Sequence, residues 1–180
     1  MIDNVFYAGL FCSSFTLFFF IRNLYVKMPL QAGVKAPDFT VNNQNNEPVS
    51  LHDFKGQKVA LFFYPKDNTP GCTEQACNMR DNIAALKAKG IVVLGVSVDS
   101  ERKHKNFEKK FSLPFPLLAD TEHKMVDAYQ VWGEKKFWGK TYMGIYRTTF
   151  LIDEKGKIAH VIEDVDTADH ASQILAAWGL

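Results

Sequence analysis

The chain has 180 residues, 47% of them hydrophobic and 23% charged, with a formal net charge of +1. That length suits one compact domain with a core of its own, and a balance so close to neutrality excludes a global field that would gather nucleic acid. The densest basic stretch, KHKNFEKK at 103–110, holds Glu108 within it and reads as the solvated face of a helix. Three cysteines, Cys12, Cys72 and Cys77, are too few, and odd in number, for a disulfide-stapled secreted fold. In a reducing compartment a close pair such as Cys72 and Cys77 is more often catalytic or metal-binding than structural, which points to the cytoplasm.

Residues 1–29 form an apolar extension ahead of a single domain at 30–180. Its core, VFYAGLFCSSFTLFFFI at 5–21, has no charge and holds six of the fifteen Phe. As a helix these 17 residues would span about 26 Å, just short of a hydrocarbon core of about 30 Å. A signal peptide fits poorly, because Asp3 is the only charge before the run and no Ala-x-Ala-like site follows it. Two readings stand side by side: a membrane anchor whose flanking Arg22 and Lys27 keep the domain in the cytoplasm, or translated upstream sequence with Met28 as the true start. Cys12, in an apolar setting that suppresses the thiolate, is read as inert.

From Leu30 the composition is ordinary. FTVNNQNNEPVSL (39–51) predicts two short strands across an Asn-rich turn, and the apolar run KVALFFY (58–64) predicts a strand buried on both faces. The loop PKDNTPG (65–71) leads to a helix from Cys72 to Lys89, closed by Gly90. A second buried strand, IVVLGVSV (91–98), precedes a helix capped at Asp99-Ser100 and running to Phe111. LPFPLLAD (113–120) reads as a loop, and Asp120/Thr121 open a helix to Val131. VWGEKKFWGKTYMG (131–144) is a Gly- and aromatic-rich excursion. IYRTTFLID (145–153) and KIAHVIE (157–163) are strands joined at Glu154–Gly156, and Asp169 to Trp178 is a closing helix. This order predicts an α/β fold, a central mixed sheet flanked by helices.

Cys72 sits where a loop meets a helix start. Unpaired N–H groups and the positive end of the helix dipole favour a thiolate there, the form that reacts. A small buried residue closing the helix fits the same position. Read alone, Arg147 in its apolar strand fits a structural ion pair.

PKDNTPGC (65–72) resembles the peroxiredoxin pattern of Pro, three residues, Thr, two residues, Cys, and FFYPKDNTPGCTEQACNMRDN (62–82) looks like the bacterioferritin-comigratory, or Q-type, subfamily. GVSVDS (95–100), VWGEKKFWGKTYMGIYRTTFLID (131–153) and the closing hairpin match in order and spacing, so that the likeness runs from Leu30 to Trp178. The resemblance implies a thioredoxin-like fold and reduction of hydrogen peroxide or organic hydroperoxides with no metal, haem or flavin cofactor. It implies that Cys72 is the peroxidatic cysteine, that Thr69 orients the peroxide, and that Pro65 shields the sulfur and withholds a competing N–H. Arg147 is then a fixed cation that favours the Cys72 thiolate and stabilises charge on the leaving oxygen. Attack on the O–O bond leaves Cys72 as a sulfenic acid.

By the same resemblance Cys77 resolves that sulfenic acid as an intramolecular disulfide, which a thioredoxin-like reductant reopens, in a protein that is a monomer. An intact helix separates Cys72 from Cys77 by a rise of about 7.5 Å and a turn of about 140°, whereas a disulfide needs Cα atoms within about 7 Å. The helix must therefore unwind. The rival readings are a dithiol-disulfide oxidoreductase, whose cysteines usually lie closer, and a metal-binding module, for which a second Cys pair is lacking and His160 and His170 are poorly spaced. His52, His104 and His123 read as surface or satisfied polar residues. Arg80 and Asp81 read as helix-surface contacts. Trp132, Phe137, Trp138 and Tyr142 read first as packing, with a peroxide entrance or a reductant surface as the alternative.

Overall fold

The computed structural model describes residues 29–137 and 139–180. The apolar run at 5–21, Cys12 and Trp138 lie outside the described residues. Among the described residues no helix is long and apolar enough to cross a membrane.

KVALFF forms β3 (Lys58–Phe63), buried from its second residue onward, at the centre of a five-stranded sheet. β4 (Ile91–Ser97) and β5 (Leu117–Ala119) extend the sheet on one side in parallel; β8 (Thr148–Ile152) and β9 (Ile158–Ile162) extend it on the other, antiparallel. The expected mixed sheet is present. Alternate β3 side chains feed two cores, as the period of two demands: Val59, Leu61 and Phe63 on one face, Ala60 and Phe62 on the other. The second face is covered by α1 (Pro70–Asp81), α2 (Ile83–Ala88), α3 (Glu101–Phe111) and α5 (His170–Ala177), through Met79, Leu86, Phe107 and Ile174. α4 (Lys124–Ala128) covers the first face with Met125 and Val126. Gly95 permits the closest of these contacts, since a Cβ there would lie 2.7 Å from the Phe62 ring.

The Asn-rich turn joins β1 (Thr40–Asn42) to β2 (Pro48–Ser50), with Asn43 Oδ1 accepting the N–H groups of Asn45 and Glu47. Gly156, at φ 77°, turns the β8–β9 hairpin as expected.

Four expectations are corrected. The helix after the loop begins at Pro70 rather than Cys72 and breaks at Asn82 (φ −104°, ψ 8°), whose side chain bonds back to the Asn78 carbonyl at 2.9 Å and competes with the helical ladder. Within 113–120, Leu117–Ala119 is a strand: Gln44 holds both the Leu117 N–H and the Phe115 carbonyl, supplying from a side chain what an edge neighbour would supply. The helix expected from Thr121 to Val131 shortens to Lys124–Ala128, because His123 (φ 61°) and Gln130 (φ 58°) are left-handed. The excursion at 131–144 is an antiparallel hairpin of β6 (Trp132–Phe137) and β7 (Lys140–Ile145), paired from Trp132↔Ile145 to Phe137↔Lys140.

Candidate active site

The site begins where β3 runs out. The Tyr64 N–H still reaches the Val96 carbonyl at 3.0 Å, but Pro65, half-buried, has no N–H to continue the ladder. The loop that follows is fastened from below. The Asp67 N–H donates to Asp99 Oδ2 (2.8 Å), and its carboxylate accepts from the Tyr64 hydroxyl (2.8 Å) and faces His104 Nδ1 (2.8 Å). His104 Nε2 donates to the Leu118 carbonyl (3.1 Å). Burial and the neighbouring Asp67 carboxylate push the Tyr64 phenol well above its ordinary range. Asp99 is held below the usual carboxylate range: burial opposes this, but the Asp67 N–H and Lys103 outweigh it. Tyr64 and His104 are fully buried, so this cluster sets the loop's height above the sheet.

Thr69 is the N-cap of α1 in extended conformation, with Pro70 at the first helical position, where a missing N–H costs nothing. The Thr69 hydroxyl makes no cap bond; it donates to the Lys66 carbonyl at 3.0 Å. Donation to a peroxide would require it to swing away from Lys66. Cys72 is the third residue of the helix and 2% exposed, so its sulfur lies at the positive end of the dipole with little access for water.

Arg147 follows β7 and leads into β8. Because β8 pairs antiparallel with β3, in the register Phe63↔Thr148, residue 147 is returned beside the strand end that launches the loop. Its Nη2 donates to Cys72 Sγ at 3.3 Å and its Nη1 donates to Gln75 Oε1. The network continues inward. Gln75 Nε2 lies 2.8 Å from His170 Nδ1, and His170 Nε2 lies 3.0 Å from Thr149 Oγ1. Arg147 can only donate, so the Gln75 oxygen faces it and the Gln75 NH₂ faces the ring. Nδ1 of His170 is therefore the acceptor and Nε2 carries the proton. Burial, seconded by the Arg147 cation, lowers the His170 pKa to about 4, in keeping with a neutral ring.

A second cation lies near the sulfur. Lys135 on β6 donates to the Ile145 carbonyl at 3.0 Å; burial and the Arg147 charge lower its pKa, and the charge of Cys72 opposes them. Cys77 is a free thiol, partly exposed, in the same unbroken helix as Cys72, so a disulfide between the two would require that helix to unwind. Arg80 touches Cys77, donates to Asp81 (2.7 Å) and to the Phe111 carbonyl (2.8 Å), and has its pKa raised chiefly by Asp81.

The structure thus sets Arg147 against Cys72, places Pro65 and Thr69 in the loop that leads into the same helix, and sets Cys77 further along that helix. Sequence reasoning did not find Gln75, His170, Thr149, Lys135 or the footing of Asp67 and His104. Periodicity gave the only available signal, since Gln75 lies one helical turn from Cys72. His104 is satisfied, as expected, although fully buried. Trp132 packs edge-on against His123 at 4.4 Å, while Tyr142 is exposed. His160 is exposed and meets Trp178 edge-on at 5.5 Å, whereas His170 is buried in the core. Among the described residues no group of three His, Cys, Asp or Glu side chains converges on a metal.

A buried cysteine at a helix N-terminus, beside a fixed guanidinium and on a mixed sheet flanked by helices, marks a thiol-based oxidoreductase. The AhpC/TSA family model matches residues 32–161. Peroxiredoxin Bcp of Escherichia coli is 50% identical over 147 residues, covering 82% of this chain and 94% of that protein. Peroxiredoxin Bcp of Bacillus subtilis is 46% identical over 148 residues, with the same coverage. Among solved structures, the bacterioferritin comigratory protein of Xanthomonas campestris, described for its alkyl peroxide reduction activity, superposes with a TM-score of 0.76 at 32% identity, covering 82% of this chain and 97% of that one. The chain belongs to the AhpC/TSA family, in its Bcp or Q-type peroxiredoxin branch. Its fold is thioredoxin-like, and it is an oxidoreductase of the peroxidase class.

Proposed function

We propose that Cys72 is the nucleophile of this peroxidase and that hydrogen peroxide and organic hydroperoxides are its substrates. The observation that carries the reading is the Arg147 Nη2 donation to Cys72 Sγ at 3.3 Å, made at the positive end of α1. The thiolate attacks one peroxide oxygen and the O–O bond breaks. The other oxygen leaves as water or alcohol with a proton, and Cys72 becomes a sulfenic acid. Arg147 stands where it can serve the thiolate first and the charge spreading over both oxygens afterwards. Pro65 narrows water's approach, and Thr69 orients the substrate. The alkyl peroxide activity of the Xanthomonas relative supports organic substrates here.

Cys77 then attacks the sulfenic sulfur once α1 has unwound; water leaves and a disulfide forms, which a thioredoxin-like thiol reductant opens by exchange. The catalytic unit acts as a monomer in the cytoplasm and needs nothing from residues 1–29. The deciding experiment is peroxide consumption by the purified protein with a thioredoxin system, beside Cys72→Ser. Turnover that disappears in the variant supports the reading; turnover at the wild-type rate overturns it.

A further inference from the structure

The wound and unwound states of α1 compete for the same residue. Gln75 lies between Cys72 and Cys77 and is fully buried, bonded on one side to Arg147 and on the other to His170, the first residue of α5. Bringing Cys77 to Cys72 unwinds the turn that contains Gln75, so both bonds must break. Two further contacts grip the same helix from the same segment: the Thr167 hydroxyl donates to the Glu74 carboxylate, and Asn78 bonds both the Ala168 carbonyl (2.6 Å) and the Ala171 N–H (2.8 Å). Glu74 is exposed and Asn78 partly so, and water can replace a lost partner there. Only the Gln75–His170 bond is sealed.

The ring is itself held. Thr149 accepts from His170 Nε2 at 3.0 Å, and Phe62 packs edge-on at 6.3 Å between centroids. Donor and acceptor roles are fixed one after another from Arg147 inward, so the ring has a single orientation that satisfies all four groups. Removing it leaves the buried Gln75 NH₂ without an acceptor.

We propose that His170 is a positioning residue for both halves of the reaction. Through Gln75 it holds Arg147 against the reduced sulfur, and it delays the unwinding of α1 once Cys72 is a sulfenic acid. The inference rests on Cys72 and Cys77 as the reacting pair. While α1 stays wound, a second peroxide converts the sulfenic acid to a sulfinic acid, inserting one oxygen and releasing water or alcohol. When α1 opens, Cys77 forms the disulfide and water leaves. The strength of the Gln75–His170 bond therefore sets how the sulfenic acid divides between these fates.

The test uses the full chain and three variants. His170→Leu removes both bonds; His170→Asn places an amide oxygen near the Nδ1 position and keeps the acceptor for Gln75; Thr149→Val frees the ring's outer side. Rapid mixing with hydrogen peroxide gives the rate of Cys72 oxidation, and intact mass after graded peroxide gives the ratio of sulfinic acid to disulfide. His170→Leu is expected to slow oxidation about ten-fold by loosening Arg147. Its sulfinic share should fall several-fold because α1 opens sooner, with both changes largely reversed in His170→Asn. Thr149→Val, which keeps the ring, should lower the sulfinic share about two-fold and gives the reading if His170→Leu does not fold. General loosening does not produce a slower first step with a faster second step, nor rescue by the amide. A sulfinic share unchanged in Thr149→Val and in a folded His170→Leu overturns the proposal, as do equal effects of Leu and Asn. If the wild type forms no Cys72–Cys77 disulfide at all, it is the assignment of Cys77 that fails, a result visible before any variant is compared.

Discussion

Arg147 and Cys72 are 75 residues apart in sequence, yet the guanidinium Nη2 of one lies 3.3 Å from the sulfur of the other. The β3–β8 register makes this contact, returning the chain to the end of the strand from which the active-site loop departs. Replacing Arg147 with Ala is expected to reduce the fraction of Cys72 present as thiolate at neutral pH and to slow its oxidation by about two orders of magnitude, the usual cost of one preorganised donor. Thiolate absorbance and rapid-mixing kinetics read both. An unchanged thiolate titration would remove Arg147 from the mechanism.

Lys135 is the second cation at the site, and its effect should be smaller because it acts across space rather than through a bond to sulfur. Lys135→Met is expected to slow Cys72 oxidation by about three- to ten-fold, with a salt dependence weaker than that of the wild type. Equal rates and equal salt slopes in the two proteins would show that its charge does not reach the sulfur.

Cys77→Ser should still be oxidised once by peroxide, and then accumulate sulfenic acid that a dimedone-type probe traps. With thioredoxin as the only reductant, steady turnover should fall to a small fraction of the wild-type rate. A variant that cycles normally and yields no trappable sulfenate would show that another thiol resolves Cys72.

His170 links stability to pH. Its ring titrates at about 4 in the folded chain, facing Arg147, Gln75, Thr149 and, at longer range, Asp166, against about 6.5 once unfolded. Between those values the unfolded chain binds the extra proton, so stability falls as pH drops through 6.5 and the loss is complete near 4, amounting to about 3 kcal/mol. Denaturant unfolding at several pH values, compared with His170→Asn, isolates this share. The variant should lose less stability over that interval, and parallel curves would contradict the assignment.

The architecture was legible in the sequence wherever apolar runs were long enough to declare themselves. KVALFFY and IVVLGVSV became β3 and β4, and Gly156 turned the final hairpin. Two failures came from side chains doing the work of backbone, Asn82 interrupting its helix and Gln44 standing in for a strand beside Leu117; a third came from the backbone itself, left-handed at His123 and Gln130, which trims α4. The residues proposed to react stand out in the loop pattern, whereas the groups that hold them do not. His170 and Gln75 are 95 residues apart, His104 and Asp67 37 apart, and no local spacing announces either pair.

A chain beginning at Met28 is expected to retain full peroxidase activity, because every group assigned to chemistry lies between Pro65 and His170. Sequencing the N-terminus of the protein from membrane and soluble fractions of its host distinguishes an anchor starting at Met1 from a chain starting at Met28. Loss of activity on deleting residues 1–27 would show that the segment contributes to the catalytic domain.

The peroxide loop and the nucleophile helix are moored to different shores. Asp67 ties the loop to Asp99 and His104, on the β4–α3 side, whereas Glu74, Gln75 and Asn78 tie α1 to the segment entering α5. If α1 unwinds as proposed, the second mooring is cast off and the first is not, which would put the hinge between Thr69 and Cys72. On that proposal, the half of the site that receives the substrate would keep its shape through the disulfide state and serve as a mould on which the helix rewinds after reduction. Hydrogen exchange of the oxidised protein should accordingly be fast at the amides of residues 72–81 and remain slow at Asp67.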